Sequence, residues 1–210
     1  MGADDGVFYP RARALSRDVL GIERGRRVVM FTGSLIRAKG IFELAEALGL
    51  LGDLRPLALI AGDGPCGAEL QARLDQLGVE YRMLGRAAQS TLATALDAAD
   101  VFAFPSHAEG LPNAVCEAMM SGRAVVAARV GGVPEIISDG KTGILVRRGE
   151  PSELAAALRR VLADANFRSA LERNARDFAL RELTWKGHAR AYEAIYGEAV
   201  RSFSASHKSA

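Results

Sequence analysis

The chain has few cysteines, few aromatic residues and almost no charge imbalance. Only Cys66 and Cys116 occur in its 210 residues. Two thiols without paired spacing exclude a disulfide scaffold and any cysteine-rich zinc motif. They suit a reducing compartment. Aromatic residues make up 6%. The 27 Lys+Arg nearly cancel the 25 Asp+Glu, leaving a net charge of +2. So small an excess argues against nucleic acid as the main partner. The one basic run, Arg24-Gly25-Arg26-Arg27, reads as solvated surface. No run approaches the ~20 apolar residues of a membrane helix. Residues 1–10 carry Asp4 and Asp5 and no apolar stretch, so no secretory leader is expected there.

The rest is an ordinary globular composition, 49% hydrophobic and 25% charged. A chain of this length buries roughly 70% of its unfolded surface without any covalent staple. Short apolar runs at residues 27–33, 57–62, 79–84, 101–105, 124–130 and 143–146 read as strands. Helix-period segments separate them at 39–51, 68–77, 90–99 and 113–121. Strands apolar on both faces and alternating with helices imply a parallel sheet covered on both sides. The expected fold class is α/β, a Rossmann-like doubly wound sheet followed by C-terminal helices. Pro151 suits a first helical turn, and Leu154, Leu158, Val161 and Leu162 follow at helical spacing. Further helices are expected at 167–180 and 186–200, with a frayed tail at 202–210.

Three glycine-rich loops follow predicted strands, where open α/β sheets bind ligands and helix amides meet anions. Together they point to a phosphate-containing ligand. The first runs from Gly33 and Ser34 through Arg37 to Lys39 and Gly40. It is not a P-loop, because Gly rather than Ser or Thr follows the lysine. Alone, Lys39 reads as a surface residue. The second, Gly62-Asp63-Gly64-Pro65-Cys66-Gly67, is a literal G-x-G-x-x-G. It lies in the second βα unit, contains a proline and lacks a well-placed ribose acid, so a dinucleotide is disfavoured. The third carries Glu109, Gly110, Leu111, Pro112, Asn113, Ala114, Val115 and Glu117. Two acids flanking a helix N-terminus suit a ligand with hydroxyls on both sides of a phosphate, as in a sugar nucleotide. On spacing alone, a coincidental pair of acids is the commoner explanation.

These residues resemble a family. Glu109 and Glu117 match the E-x7-E signature of retaining GT-B glycosyltransferases, glycosyl transferases group 1, in the donor-binding C-terminal half. Gly131-Gly132-Val133-Pro134-Glu135 and Gly140-Lys141-Thr142-Gly143 match its next blocks. The similarity runs from Gly2 to Tyr196. It implies a linker at residues 1–26, a donor-binding domain at 27–182, a crossover helix at 183–201 and an isolated half of a longer enzyme. An acceptor-binding domain would precede it, and any membrane contact would belong to that missing domain.

The resemblance also implies residue roles. Lys39 and Glu109 would be the catalytic pair. Lys39 would neutralise the donor diphosphate, and the Ala114 and Val115 amides would hold the β-phosphate. Glu117 would bind the ribose. Glu109 with the backbone of Gly110, Leu111 and Pro112 would hold the transferred sugar. Asn113 belongs to the same donor-binding stretch, and the base would sit near Gly85 and Arg86. Positive charge and amides aimed at the leaving diphosphate would be the main catalytic effect. The family implies no cofactor and no metal, a UDP- or GDP-sugar as substrate, and a cytoplasmic location. The family's usual arginine after Gly33 is replaced by Ser34, and Arg37 is the candidate substitute.

His107, His188 and His207 are expected to face solvent. Glu135 is expected to buttress the loop. Cys66 is expected at the pocket rim, and Cys116 is expected to be buried. The leading function is sugar transfer to a polysaccharide or lipid-linked acceptor. The alternatives are a noncatalytic nucleotide-sugar-binding module, a subunit of a two-chain transferase, and a GT-B epimerase.

Overall fold

The computed structural model describes residues 2–206. Six strands form the sheet: β1 (Val28–Thr32), β2 (Leu57–Ala61), β3 (Tyr81–Gly85), β4 (Val101–Phe104), β5 (Ala124–Ala128) and β6 (Ile144–Val146). Their order is β3-β2-β1-β4-β5-β6 and every pair is parallel. This is the doubly wound order.

Side-chain alternation builds two cores from single strands. In β1, Val28 and Met30 enter one apolar cluster, while Val29 and Phe31 enter the other. In β4, Phe102 and Phe104 join the first, and Val101 and Ala103 the second. The second cluster is covered by α2 (Ile41–Gly49), α3 (Gly67–Gln76) and α7 (Pro151–Ala163). The first is covered by α4 (Gln89–Ala98), α5 (Asn113–Met120), α6 (Val133–Ile136) and the later turns of α8 (Ala165–Glu182). Neither face meets water, so the strands read as continuous apolar runs. Only β3, at the sheet edge, is half-buried along its length.

Residues expected as linker carry a further helix, α1 (Arg13–Leu20). Its buried face is Ser16 and Arg17, while Leu15 and Val19 are 64% and 77% exposed. Apolar periodicity therefore points away from the packed side. Polar contacts hold the segment instead. Arg17 reaches Asp100 at 2.9 Å, and Arg11 reaches Asp97 at 2.9 Å. Asp100 also accepts from the Val28 amide at 2.8 Å.

The last helix, α9 (Trp185–Ser206), continues through residues read as tail; residues 207–210 lie outside the described set. Trp185, Tyr192, Ile195 and Tyr196 are exposed, and the two tyrosines stack at 6.5 Å. His207 and the side chain of His188 are not among the described residues.

Candidate functional site

β1 and β4 are adjacent in the sheet centre, yet the chain leaves them in opposite directions. That is the topological switch point, where a crevice opens at the strands' carboxyl ends. The loop after β1 makes a 3-10 turn over Arg37–Lys39 before α2. Gly40 follows at φ +67°, and a Cβ there would lie 2.0 Å from the Pro105 carbonyl oxygen. Only glycine permits so close an approach in that conformation. The two loops are then joined by the His107 amide, which donates to the Ala38 carbonyl at 2.9 Å.

This docking brings the predicted pair together. Lys39 Nζ lies 2.6 Å from Glu109 Oε1, with side chains 27% and 12% exposed. Ser106 is buried, and its hydroxyl donates to the same oxygen at 2.6 Å. Glu109 is also fixed from behind. Gly131 has φ +49°, and a Cβ there would sit 1.7 Å from the Glu109 carbonyl oxygen. The Gly132 amide donates to the Gly110 carbonyl at 2.8 Å. Backbone thus does the buttressing expected of Glu135, whose side chain is exposed.

Helix α5 opens beside Glu109. Its N-cap is Pro112, which has no side-chain acceptor to offer the first amides. Among the described residues, the Asn113 and Ala114 amides have no acceptor. The Val115 amide differs from expectation, because it donates back to the Pro112 carbonyl at 3.2 Å. Glu117 follows one turn after Asn113, on the same helix face. Burial raises its carboxyl from the ordinary range to about 7. Its carboxylate has no hydrogen-bond or ion-pair partner among the described residues. Cys116, the residue before it, is buried, and its thiol is pushed up to about 11 by that burial.

Other expected residues fall differently. Gly33 and Ser34 line the start of the loop, with Ser34 exposed. Arg37 turns away from the crevice. It pairs with Glu69 at 2.5 Å and stacks over Phe42 at 4.6 Å, so it does not stand in for an arginine at position 34. The Gly85 carbonyl is already taken by the Gly62 amide at 2.7 Å, whereas Arg86 is exposed. The glycine loop at 62–67 serves the β1 loop: Leu35 donates to Asp63 at 2.7 Å, and Cys66 donates to Leu35 at 3.0 Å. Its polar groups therefore do not wrap a pyrophosphate. His107 is not free in solvent, since its Nε2 lies 2.9 Å from Glu43 Oε1.

Three residues at the site were given no role by the sequence reading. Ser106 orients Glu109 from a buried position. Arg129 and Arg148 line a cavity of about 380 Å3 with Glu109 and His107. Both arginines follow strand ends, β5 and β6, and the carboxyl-end rule alone could have flagged them.

Fold and site together define a doubly wound α/β domain with a lysine–glutamate pair and an open helix start at its switch point. The chain belongs to the glycosyl transferases group 1 family, whose model matches residues 12–178. A D-inositol 3-phosphate glycosyltransferase from Corynebacterium kroppenstedtii is 36% identical over 95% of this chain and 47% of its own length. The chain spans about half the length of the curated relatives it matches. HepE from Anabaena, solved with UDP-glucose, superposes with a TM-score of 0.82 at 26% identity. That match covers 93% of this chain and 56% of HepE in that structure. The C-terminal domain of LpcC, a group 1 family protein from Francisella tularensis, matches with a TM-score of 0.80 and 28% identity. There the match covers 88% of this chain and 100% of the other. Among the described residues, no helix is long and apolar enough to cross a membrane.

Proposed function

We propose that this chain is the donor-binding half of a retaining glycosyltransferase that takes its sugar from a nucleotide diphosphate. The observation that carries the reading is the Lys39–Glu109 contact at 2.6 Å beside the open start of α5 and the unpartnered Glu117. A diphosphate at this crevice would meet the Lys39 ammonium and the Asn113 and Ala114 amides. Those groups gain most where the leaving diphosphate gains charge, and so favour the transition state over the ground state. Glu117 would accept from the ribose hydroxyls. Glu109 would hold the transferred sugar, oriented by Ser106. The base would rest near Gly85 and Arg86.

UDP is the first base to test, because HepE was solved with UDP-glucose. D-inositol 3-phosphate is the first acceptor to test, as the relatives' names indicate. GDP-sugars and lipid-linked acceptors follow. The acceptor surface belongs to a further domain, which would also carry any contact with the cytoplasmic membrane face. Ser34 favours a second reading, a noncatalytic nucleotide-sugar module, because position 34 carries no arginine and Arg37 is paired with Glu69 instead.

Calorimetric titration with UDP, GDP, ADP and their sugar conjugates, with and without EDTA, tests the proposal. Saturable binding of one diphosphate, unaffected by EDTA and lost in Glu117→Ala, is expected. Binding unchanged in both Lys39→Ala and Glu117→Ala would remove the site.

A further inference from the structure

The basic run at Arg24–Arg27 has no part in the donor site. It lies at the amino ends of β1 and β4, about 15 Å along the strands from their carboxyl ends. There a cavity of about 430 Å3 is lined by Arg13, Arg17, Arg24, Arg26, Arg27 and Arg168, with Asp100 the one carboxylate on its wall. Four of these guanidiniums are compensated. Arg17 is held by Asp100 at 2.9 Å, and Arg13 by Glu172 at 2.5 Å. Arg24 meets Asp18 at 2.7 Å, and Arg26 meets Glu80 at 2.5 Å. Arg27 and Arg168 have no carboxylate partner among the described residues. In addition, the Nε donors of Arg26 and Arg168 are shut off from solvent with no acceptor.

We infer that this cavity is a binding site for a small phosphate group, as inorganic phosphate or a phosphate monoester. Two uncompensated cations match a dianion. Tetrahedral oxygens can accept from guanidiniums that approach from several elements, as a planar carboxylate cannot. Leu162 is the only large apolar residue on the wall, so the cavity offers no platform for a base or an acyl chain. The charge is confined to one concavity rather than spread along a stripe, which separates it from a nucleic-acid surface. The inference stands independently of the donor-site reading.

The test is titration of this chain with inorganic phosphate and with glycerol 3-phosphate at fixed ionic strength. Binding is followed by calorimetry and by the arginine Nε–Hε NMR signals. Saturable binding is expected, weakened at least tenfold in Arg27→Gln and in Arg168→Gln, and unchanged in Lys39→Ala. Arg27 is exposed, so Arg27→Glu keeps the test readable if Arg168→Gln lowers stability. Binding that survives the arginine substitutions overturns the proposal. So does loss in Lys39→Ala, which assigns the phosphate to the donor crevice. Binding to phosphatidic acid vesicles without binding of either soluble phosphate also overturns it, in favour of a charged surface.

Discussion

The two ends of β1 and β4 make a controlled contrast, because the same strands present both. At the amino end, Asp100 is saturated by Arg17 and by the Val28 amide. At the carboxyl end, Glu117 has no partner among the described residues, although burial raises its carboxyl to about 7. One buried acid joins elements of the fold. Glu117, only half-buried, bears a partial desolvation cost that a hydrogen-bonding ligand would reduce. A satisfied acid therefore marks scaffold, and an unsatisfied one marks a site. The phosphate cavity lies beside the first but draws on its unpaired arginines, so it follows the same rule.

The contrast breaks most visibly at Asp100. Asp100→Ala would leave the Arg17 guanidinium buried and the Val28 amide without its acceptor. Removing one partner of such a pair costs about 3–5 kcal/mol, measurable by chemical denaturation. A loss below about 1 kcal/mol would show that the amino edge is not the structural end. Lys39→Ala should do the reverse. Its pair with Glu109 is partly exposed, so stability should change by less than about 1 kcal/mol. UDP affinity should fall by about 10- to 100-fold, the magnitude of a charge-assisted hydrogen bond.

Glu117 sharpens the comparison through pH. Its folded value, about 7, lies above the ordinary value of 4.5. The folded chain therefore holds a proton that the unfolded chain has released between those limits. Stability should fall as pH rises from 4.5 to 7, by on the order of 2 kcal/mol from this group. Glu117→Gln should flatten that slope, as thermal unfolding across the range will show. Donor affinity should run the other way. The ionised acid is the better acceptor for ribose hydroxyls, so UDP binding should strengthen up to pH 7 and then level. A binding profile flat from pH 5 to 8 would remove Glu117 from the ribose contact.

The sheet was legible because both faces are buried, and its strands carry the plainest signal in the sequence. Helix α1 was not, because ion pairs rather than apolar contacts hold it, and such pairs leave no periodicity. Within the candidate site, Glu109, Glu117 and Lys39 were named from loop motifs and family likeness, and the structure groups Lys39 with Glu109. Ser106 was missed because its importance depends on a loop that folds back on Ala38. Val115 was only partly right, since a tight first turn uses its amide. Each miss concerns a contact between segments distant in sequence or a detail of local backbone, neither of which spacing encodes.

Arg37 gives the smallest and most discriminating prediction. Sequence alone offers it as the replacement for an arginine at position 34. The structure directs it to Glu69, with side chains 68% and 54% exposed, and over the Phe42 ring. Such an exposed pair contributes at most about 1 kcal/mol. Arg37→Ala should therefore lower stability slightly and leave UDP affinity within twofold. Ser34→Arg should raise that affinity, because Ser34 is exposed at the start of the same loop. A tenfold loss of affinity in Arg37→Ala would mean that Arg37 leaves Glu69 to meet the diphosphate. The carboxyl edge would then hold a second mobile cation beside Lys39, and the absence of an arginine at position 34 would no longer favour a noncatalytic module.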